Sequence, residues 1–281
     1  MKRPLLGTAL VHMGLVVLCV IVLYPLLWVV GMALSSQPGL QQGLWPLPAQ
    51  PSLVNFTHLL TAQDAAGHFT FWRQLGNSIL VATLTTLVGL TFSVTAAYAL
   101  SRFAFPGRRL GMTALLATQM FPATMMSVPL YAILDKLHLL NSLSGLVLVY
   151  ATTSVPFCVW MLKGYFDTIP KDLEEAALLD GASQGQIFLK VVLPLTRPAL
   201  AVTALFSFMT AWNEFVLAAT FIDDQLRFTL PVALQRLVGE YKTEWGLFAA
   251  GALLVSAPVM AVFFALQKNL VGGLTAGGVK G

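Results

Sequence analysis

The segment EAALLDGASQGQIFLKVVLPLTRP, residues 175–198, decides the fold class because it sets a polar helical hairpin between long apolar segments. Asp172, Glu174 and Glu175 begin its first helix, where acidic residues stabilise the positive end of the helix dipole. Gly181 predicts the end of that helix, since glycine adopts the left-handed C-cap conformation without strain. The sequence therefore predicts an ordered first helix with defined ends.

A second short helix is expected after the glycine. Ser183 and Gln186 have the spacing of a capping box that opens it. We expect Pro194 to close this helix and Pro198 to open the next membrane segment, because proline is tolerated in a first helical turn. A shaped, charged hairpin in an apolar chain predicts a docking surface for a partner protein; an ordinary surface hairpin is the alternative.

Composition excludes an ordinary soluble domain, since 57% of the residues are hydrophobic and only 10% are charged. A helix needs about 20 apolar residues to cross a membrane. The sequence therefore predicts an all-α polytopic membrane protein, and the first span lacks the small-residue cleavage site of a signal peptide. The six predicted spans are residues 9–34, 75–101, 110–134, 143–163, 198–222 and 246–267.

Basic residues are distributed unequally between the two sets of loops, which predicts the orientation because cytoplasmic loops are enriched in Lys and Arg. Both termini and the hairpin are therefore expected in the cytoplasm. The chain lacks a basic cluster with interleaved aromatic residues, so nucleic acid is not an expected partner. The cations assigned to the cytoplasmic side are Lys2, Arg3, Arg102, Arg108, Arg109, Lys163, Lys171, Lys190, Arg197, Lys268 and Lys280.

This orientation divides the chain into four parts. Residues 1–34 are a cytoplasmic N-terminus with the first span, and 35–74 are an extracytoplasmic loop expected to be extended, with a little local structure. Residues 75–267 form the helical core, which includes the cytoplasmic loop 164–197. Residues 268–281 are a cytoplasmic tail, predicted to be a flexible strand because glycine pairs interrupt it.

The hairpin resembles the EAA loop of bacterial ABC importer permeases. The family has Glu-Ala-Ala, a glycine four residues after the second alanine, and a Leu-Pro pair farther on; this chain departs only in having Val191 where isoleucine is usual. The resemblance implies that the loop seats in a groove of the ATPase subunit. The residues carrying this implied coupling role are Glu175, Ala176, Ala177, Asp180, Gly181, Ala182, Leu193 and Pro194.

The last ten residues, 272–281, are similar to the tail of the second maltose permease subunit, the MalG type. In those relatives the tail inserts between the two ATPase subunits. The resemblance therefore implies an ATPase-interface role for Thr275, Gly277, Gly278 and Lys280.

The same resemblance implies a type I importer permease fold in a bacterial inner membrane. It also implies a second, MalF-like permease subunit, a MalK-like ATPase dimer that binds ATP and magnesium, and an extracytoplasmic sugar-binding protein. We expect this chain to be non-catalytic and to bind no cofactor or metal itself, because its sequence contains no GxxxxGK[ST], HExxH or GxSxG motif and its histidines are scattered.

Two further sites are predicted. Glu214 is the only carboxylate well inside a predicted span and follows Asn213; a charge there either serves the transport pathway or anchors two helices, and we favour the anchor. In the external loop 223–245, Gly239, Glu240 and Tyr241 combine a flexible glycine with an aromatic ring, and the resemblance implies contact with the binding protein. A plain connector is the alternative for this loop.

The expected function is transport of an oligosaccharide, with maltose or maltodextrins favoured by the resemblance. Trehalose, another disaccharide and glycerol phosphate remain alternative substrates. A secondary sugar transporter is the alternative of another class, and it would normally show inverted repeats and intramembrane ionisable residues. A membrane scaffold without transport activity would leave the hairpin and the tail unexplained.

Overall fold

The computed structural model describes residues 5–37, 44–239 and 243–277, and every regular element in those ranges is a helix. Isolated β-bridges join Gln63 to Phe69 and Val238 to Thr243. The predicted all-helical class is confirmed.

The helices follow one another along the chain. They are α1 (Leu5–Ala33), α2 (Val54–Thr61), α3 (Thr70–Arg102), α4 (Arg108–Thr118), α5 (Ala123–Lys136), α6 (Leu143–Phe166), α7 (Asp172–Leu179), α8 (Gln184–Ile187), a π-helix (Phe188–Val192), α9 (Leu193–Leu195), α10 (Arg197–Asn213), α11 (Val216–Phe221), a 3₁₀ turn (Gln225–Arg227), α12 (Leu230–Gln235) and α13 (Trp245–Gly277).

The chain forms two compact units. One comprises Met1–Arg73 and Ala233–Ala257, and the other, the main unit, comprises Gln74–Val232 and Pro258–Gly281. In the main unit α6 is the central helix, because α4, α5, α10 and α11 all pack against it. Ser142 caps α6 by accepting a hydrogen bond from the Gly145 amide at 3.0 Å. This helix is the most buried of the long apolar helices.

Four continuous helices in the described part of the chain are long and apolar enough to cross a membrane. They are Thr8–Ala33, Thr70–Arg102, Leu143–Phe166 and Trp245–Lys268, and they correspond to the first, second, fourth and sixth predicted spans. The other two predicted spans, 110–134 and 198–222, are each divided between two helices.

Span 110–134 is divided between α4 and α5, with a break from Gln119 to Pro122. Pro122 has an extended ψ of 134° and stands immediately before α5. Proline lacks an amide hydrogen and disfavours helical geometry in the residue before it, which favours a break in the helix at Phe121.

Span 198–222 is divided between α10 and α11. Glu214 has an extended ψ of 127°, which ends α10 after Asn213. The start of α10 is bent as well: the helical run Gln184–Leu195 and α10 meet at 78°. Pro198 lies in the first turn of α10, as predicted.

The external connection 35–74 contains the helix α2, whose Asn55 amide donates to the carbonyls of Ala33 and Ser35 at 3.0 and 2.8 Å. One expectation needs correction. The tail was predicted as a flexible strand after Lys268, but α13 continues to Gly277. Glycine costs about 1 kcal/mol relative to alanine in a helix, yet it keeps its amide hydrogen, so the hydrogen-bond ladder need not stop.

Candidate coupling site

The first helix of the hairpin ends in a Schellman motif. The Ala182 amide donates to the Ala177 carbonyl at 2.9 Å and the Gly181 amide to the Leu178 carbonyl at 3.0 Å. Gly181 has a φ of +82°, in the left-handed region that favours glycine. The predicted helix stop is therefore where the sequence placed it, and it turns the chain sharply between α7 and α8.

The second helix opens with the predicted capping box. Ser183 accepts from the Gln186 amide at 3.4 Å, and the Gln186 side chain accepts from the Ser183 amide at 2.8 Å. The helix continues through the π-helix into α9, which ends at Leu195. Pro194 lies within α9, so the helix runs one residue past the proline that was expected to close it.

The hairpin has one face exposed to solvent. Glu175, Ala176, Asp180 and Gly181 are all exposed, and Leu179 at the turn is 90% exposed. Ala177, Ala182 and Leu193 are half-buried because they pack against the apolar core of the main unit, and Pro194 is also half-buried. The structure thus brings six of the predicted coupling residues, 175–177 and 180–182, together on α7 and its turn.

The opposite face of the hairpin is fastened to the bundle by a buried ion pair. Glu174 is only 9% exposed, and its carboxylate accepts hydrogen bonds from the Arg102 guanidinium and from the Tyr98 hydroxyl, the latter at 3.1 Å. Arg102 also donates to the Ile169 carbonyl at 3.1 Å. The last turn of α3 therefore holds the start of α7 through several hydrogen bonds.

The Tyr98 ring strengthens the same junction. It lies 4.7 Å from the ring of Phe188 in the π-helix and 5.9 Å from that of Phe166 at the end of α6, measured between centroids. Ile187 and Val192 of the hairpin are buried in the same apolar cluster. Because ion pair, aromatic contacts and apolar core act together, the hairpin and this end of the bundle form one packed body.

A second polar link lies beside the first. Ser101 donates to Asp167 at 2.6 Å, and the Lys163 ammonium contacts the other oxygen of that carboxylate at 2.5 Å. Burial tends to raise the pKa of Asp167, but the hydrogen bonds from Lys163 and Ser101 outweigh it, so the pKa lies below its usual value. This link fixes the end of α6 to the end of α3.

Sequence reasoning missed the inward-facing part of this site, namely Tyr98, Ser101, Arg102, Asp167 and Glu174. Glu174 was treated only as a helix-dipole residue. The neighbouring pair Glu174–Glu175 could have indicated an inward-facing carboxylate. Adjacent side chains on a helix point about 100° apart, so the two glutamates cannot both lie on the exposed face. The distant partner Arg102 carried no local signal.

Glu214 serves as a cap at the break between α10 and α11. Its carboxylate accepts from the amides of Leu217 and Ala218 at 2.9 and 3.1 Å and from the Tyr150 hydroxyl of α6 at 2.6 Å. These contacts join α6 to the break between α10 and α11, and the anchoring role that we favoured stays a prediction. Asn213 beside it is exposed.

An open groove of about 1070 Å³ lies along the main unit between α3, α4, α5 and α6. Its lining is mostly apolar and includes Phe92, Phe121 and Met126. Gln119 at the α4–α5 break donates to the Thr153 carbonyl at 3.1 Å, which engages part of its amide. The groove therefore offers few polar groups to a ligand rich in hydroxyls.

The other two predicted sites lie partly outside the described residues. Gly239 ends the described part of the external loop, and Glu240 and Tyr241 fall outside it. Thr275 and Gly277 belong to the last turns of α13, whereas Gly278 and Lys280 fall outside the described residues. Among the described residues no group of three or more His, Cys, Asp or Glu side chains is placed to hold a metal ion.

Comparison with known proteins identifies the family. The family model described as "Binding-protein-dependent transport system inner membrane component" matches residues 89–275, which include the whole hairpin. The chain belongs to this family. It is a permease subunit of an ABC sugar importer and a multi-pass component of the inner membrane.

Relatives within the family serve different sugars. The galactooligosaccharides transport system permease protein GanQ of Bacillus subtilis is 38% identical over 272 residues, covering 96% of this chain and 94% of the relative. The maltose/maltodextrin transport system permease protein MalG of Vibrio vulnificus is also 38% identical, over 283 residues, covering 96% and 95%. Identity alone therefore does not distinguish between these substrates.

A solved structure supports the fold. A chain from a bacterial ABC transporter involved in the import of the acidic polysaccharide alginate superposes with a TM-score of 0.78 at 25% identity, covering 95% of this chain and 98% of that one. The type I importer permease fold is thereby confirmed.

Proposed function

We propose that this chain is one of two different permease subunits of an ATP-driven oligosaccharide importer, with maltose or maltodextrins as substrate. Its similarity to the Vibrio maltose/maltodextrin permease and the resemblance of its tail to the MalG type support this choice. Trehalose, another disaccharide and glycerol phosphate are the competing substrates within the same class. Both termini and the hairpin lie in the cytoplasm in this proposal.

The observation that carries the proposal is the two-sided hairpin. One side presents exposed Glu175, Leu179 and Gly181, and the other is held by the Glu174–Arg102 pair and the apolar core. An exposed leucine beside acidic residues fits a groove on a partner protein. Because the other side of the hairpin is held in a closely packed core, a displacement of the hairpin would also move the helices that it contacts. Closure of the ATPase pair on ATP would push this lever and turn the bundles from inward to outward access; hydrolysis would reset them.

The proposed partners are a MalF-like permease, a MalK-like ATPase dimer that holds ATP and magnesium, and an extracytoplasmic sugar-binding protein. This chain supplies no catalytic residue in that scheme. Gly239, Glu240 and Tyr241 would contact the binding protein, and Thr275, Gly277, Gly278 and Lys280 would contact the ATPase interface. Leu193 and Pro194 would set the end of the coupling hairpin.

Direct sugar contact is assigned mainly to the second permease subunit. The groove of the main unit is largely apolar, whereas sugar sites combine converging polar groups with aromatic platforms. A photoactivatable sugar should therefore mark the second permease more strongly than this chain.

Substrate choice can be tested by uptake of labelled maltose in cells from which the gene has been deleted and then restored. We expect restored uptake, with competition by maltodextrins exceeding that by trehalose, galactooligosaccharide or glycerol phosphate. Stronger competition by one of the latter would reassign the substrate while keeping the importer. Uptake that persists without the ATPase subunit and follows an ion gradient would instead support a secondary transporter.

A further inference from the structure

A basic groove of about 940 Å³ lies where α4 begins. Three cationic side chains line it, Arg108 and Arg109 from the first turn of α4 and Lys163 from the last turn of α6. Phe105 and Leu110 line it as well. The groove thus combines positive charge with hydrocarbon surface and is separate from the groove along α3 to α6.

The charges in this basic groove are incompletely neutralised. Lys163 is paired with Asp167, whose other oxygen is occupied by the Ser101 hydroxyl. In the described ranges no carboxylate lies within ion-pair distance of either arginine, and Arg108 influences Asp167 only from farther away. The two guanidinium groups are therefore available to an external anion.

The backbone adds to this positive character. Gly107 precedes α4 with a φ of +84° and, lacking a side chain, provides no cap for the first-turn amides. The Arg108 amide donates to the Phe105 carbonyl at 3.3 Å, but no side chain of Gly107 caps the amides that follow it, and the helix dipole favours an anion at this end of the 11-residue helix. Guanidinium groups beside such amides match the oxygens of a phosphate group, which they can bind bidentately.

The apolar part of the lining further restricts the class of ligand that the basic groove could bind. Leu110 is 75% exposed and Phe105 is 43% exposed. Leu110 begins the stretch 110–134 predicted to enter the membrane, so hydrocarbon chains would border it. We propose that the basic groove binds an anionic phospholipid, with its headgroup phosphate between Arg108 and Arg109 and its acyl chains along Leu110 and Phe105.

The test uses the full chain in nanodiscs of phosphatidylcholine that contain a minor fraction of photoactivatable phosphatidylglycerol. Crosslinks mapped by mass spectrometry should concentrate in residues 105–113. Unlabelled phosphatidylglycerol should compete far better than phosphatidylcholine or inorganic phosphate. This competition needs no variant, and it would overturn the proposal if phosphatidylcholine or inorganic phosphate competed equally well.

Substitutions of the two arginines provide a second test of the lipid site. At about 1 kcal/mol per basic residue near an anionic surface, Arg108→Gln with Arg109→Gln should reduce crosslinking to 105–113 roughly tenfold or more. Lys171→Gln with Lys190→Gln is the matched control, since both lysines are exposed cations of the hairpin region outside the groove. Equal loss in the control would mean bulk electrostatic attraction only and would overturn the site. Arg109→Gln alone serves if the double variant does not fold.

Addition of the ATPase subunit distinguishes a protein ligand from a lipid. Crosslinking that persists in the assembled importer supports the lipid site, whereas complete loss on assembly would mean that the ATPase occupies the basic groove. Because lipid contact is measured without sugar or transport, failure of this test would leave the proposed transport function standing, and the reverse also holds.

Discussion

Glu174 and Glu175 are neighbours with opposite surroundings. Glu174 turns inward to Arg102 and Tyr98, while Glu175 faces solvent on the proposed ATPase side. The side chains of Arg102 and Glu174 are 7% and 11% exposed, so each depends on the other for neutralisation. We attribute the fixed orientation of the hairpin on the bundle to the Glu174–Arg102 pair. We assign contact with the partner protein to Glu175.

Glu174→Gln should destabilise the chain by roughly 3–5 kcal/mol, because it leaves Arg102 buried without a counter-charge. Chemical unfolding in detergent measures this effect. Lys163→Gln is the control, since the Lys163–Asp167 pair is more exposed and is worth only about 0.2–1 kcal/mol. A double-mutant cycle with Arg102→Met that showed no coupling energy would contradict the assigned anchor.

Gly181→Val should impair coupling through the backbone alone. A Cβ atom at Gly181 would meet no atom within 4 Å, so the cost is the left-handed φ, roughly 1–2 kcal/mol and more for a β-branched residue. The native turn would lose about five- to thirtyfold in population relative to alternatives. We expect sugar uptake per ATP hydrolysed to fall.

Gly185→Val is the matched control for this change. Gly185 also has open space around it but lies within α8 and has no positive φ. Normal coupling in both variants would show that the turn geometry is irrelevant to the lever.

At the scale of elements, features set by residues close together in the sequence were predicted correctly, whereas features that depend on distant residues were not. The capping box and the Gly181 stop are set by residues a few positions apart, and both were found. The breaks at Pro122 and Glu214 were missed because hydropathy counts apolar residues and not hydrogen bonds, so two short helices resemble one span. The helix in the tail was missed because glycine pairs were taken as terminators.

Glu214 caps α11 across a broken helix, and its loss should loosen this break. Glu214→Gln weakens three charge-assisted hydrogen bonds, from two amides and from the Tyr150 hydroxyl, worth about 1.5–3 kcal/mol each at most, whereas Tyr150→Phe removes only one of the three. We therefore expect a larger drop in melting temperature for Glu214→Gln. If Tyr150→Phe were the more damaging variant, the capping role would be wrong.

Removal of Thr275 to Gly281 tests the tail as an element. Membrane insertion should be unaffected, because the apolar span Trp245–Lys268 is retained. Assembly with the ATPase or the coupling of ATP turnover to uptake should fall, since we assign the tail to the ATPase interface. A truncated importer with full activity would make the tail dispensable.

At the scale of the whole molecule, the chain is the permease subunit of an ABC sugar importer. The packed junction of α3, α6 and the hairpin gives a single body on which an ATPase could act. The family assignment places that body in an ABC sugar importer, and the hairpin combines an exposed leucine, acidic residues and a fixed turn. The central claim is that this surface meets the ATPase.

The most direct test is site-specific photo-crosslinking from position 179 in membranes of cells that produce the complete importer. Leu179 is 90% exposed at the turn, so a photoreactive residue there should fit without disturbing the core. The account predicts a dominant crosslink to a protein that contains an ATP-binding phosphate loop, with none from position 87, an exposed apolar site in α3. A fully assembled importer in which position 179 crosslinks no ATPase would contradict the account.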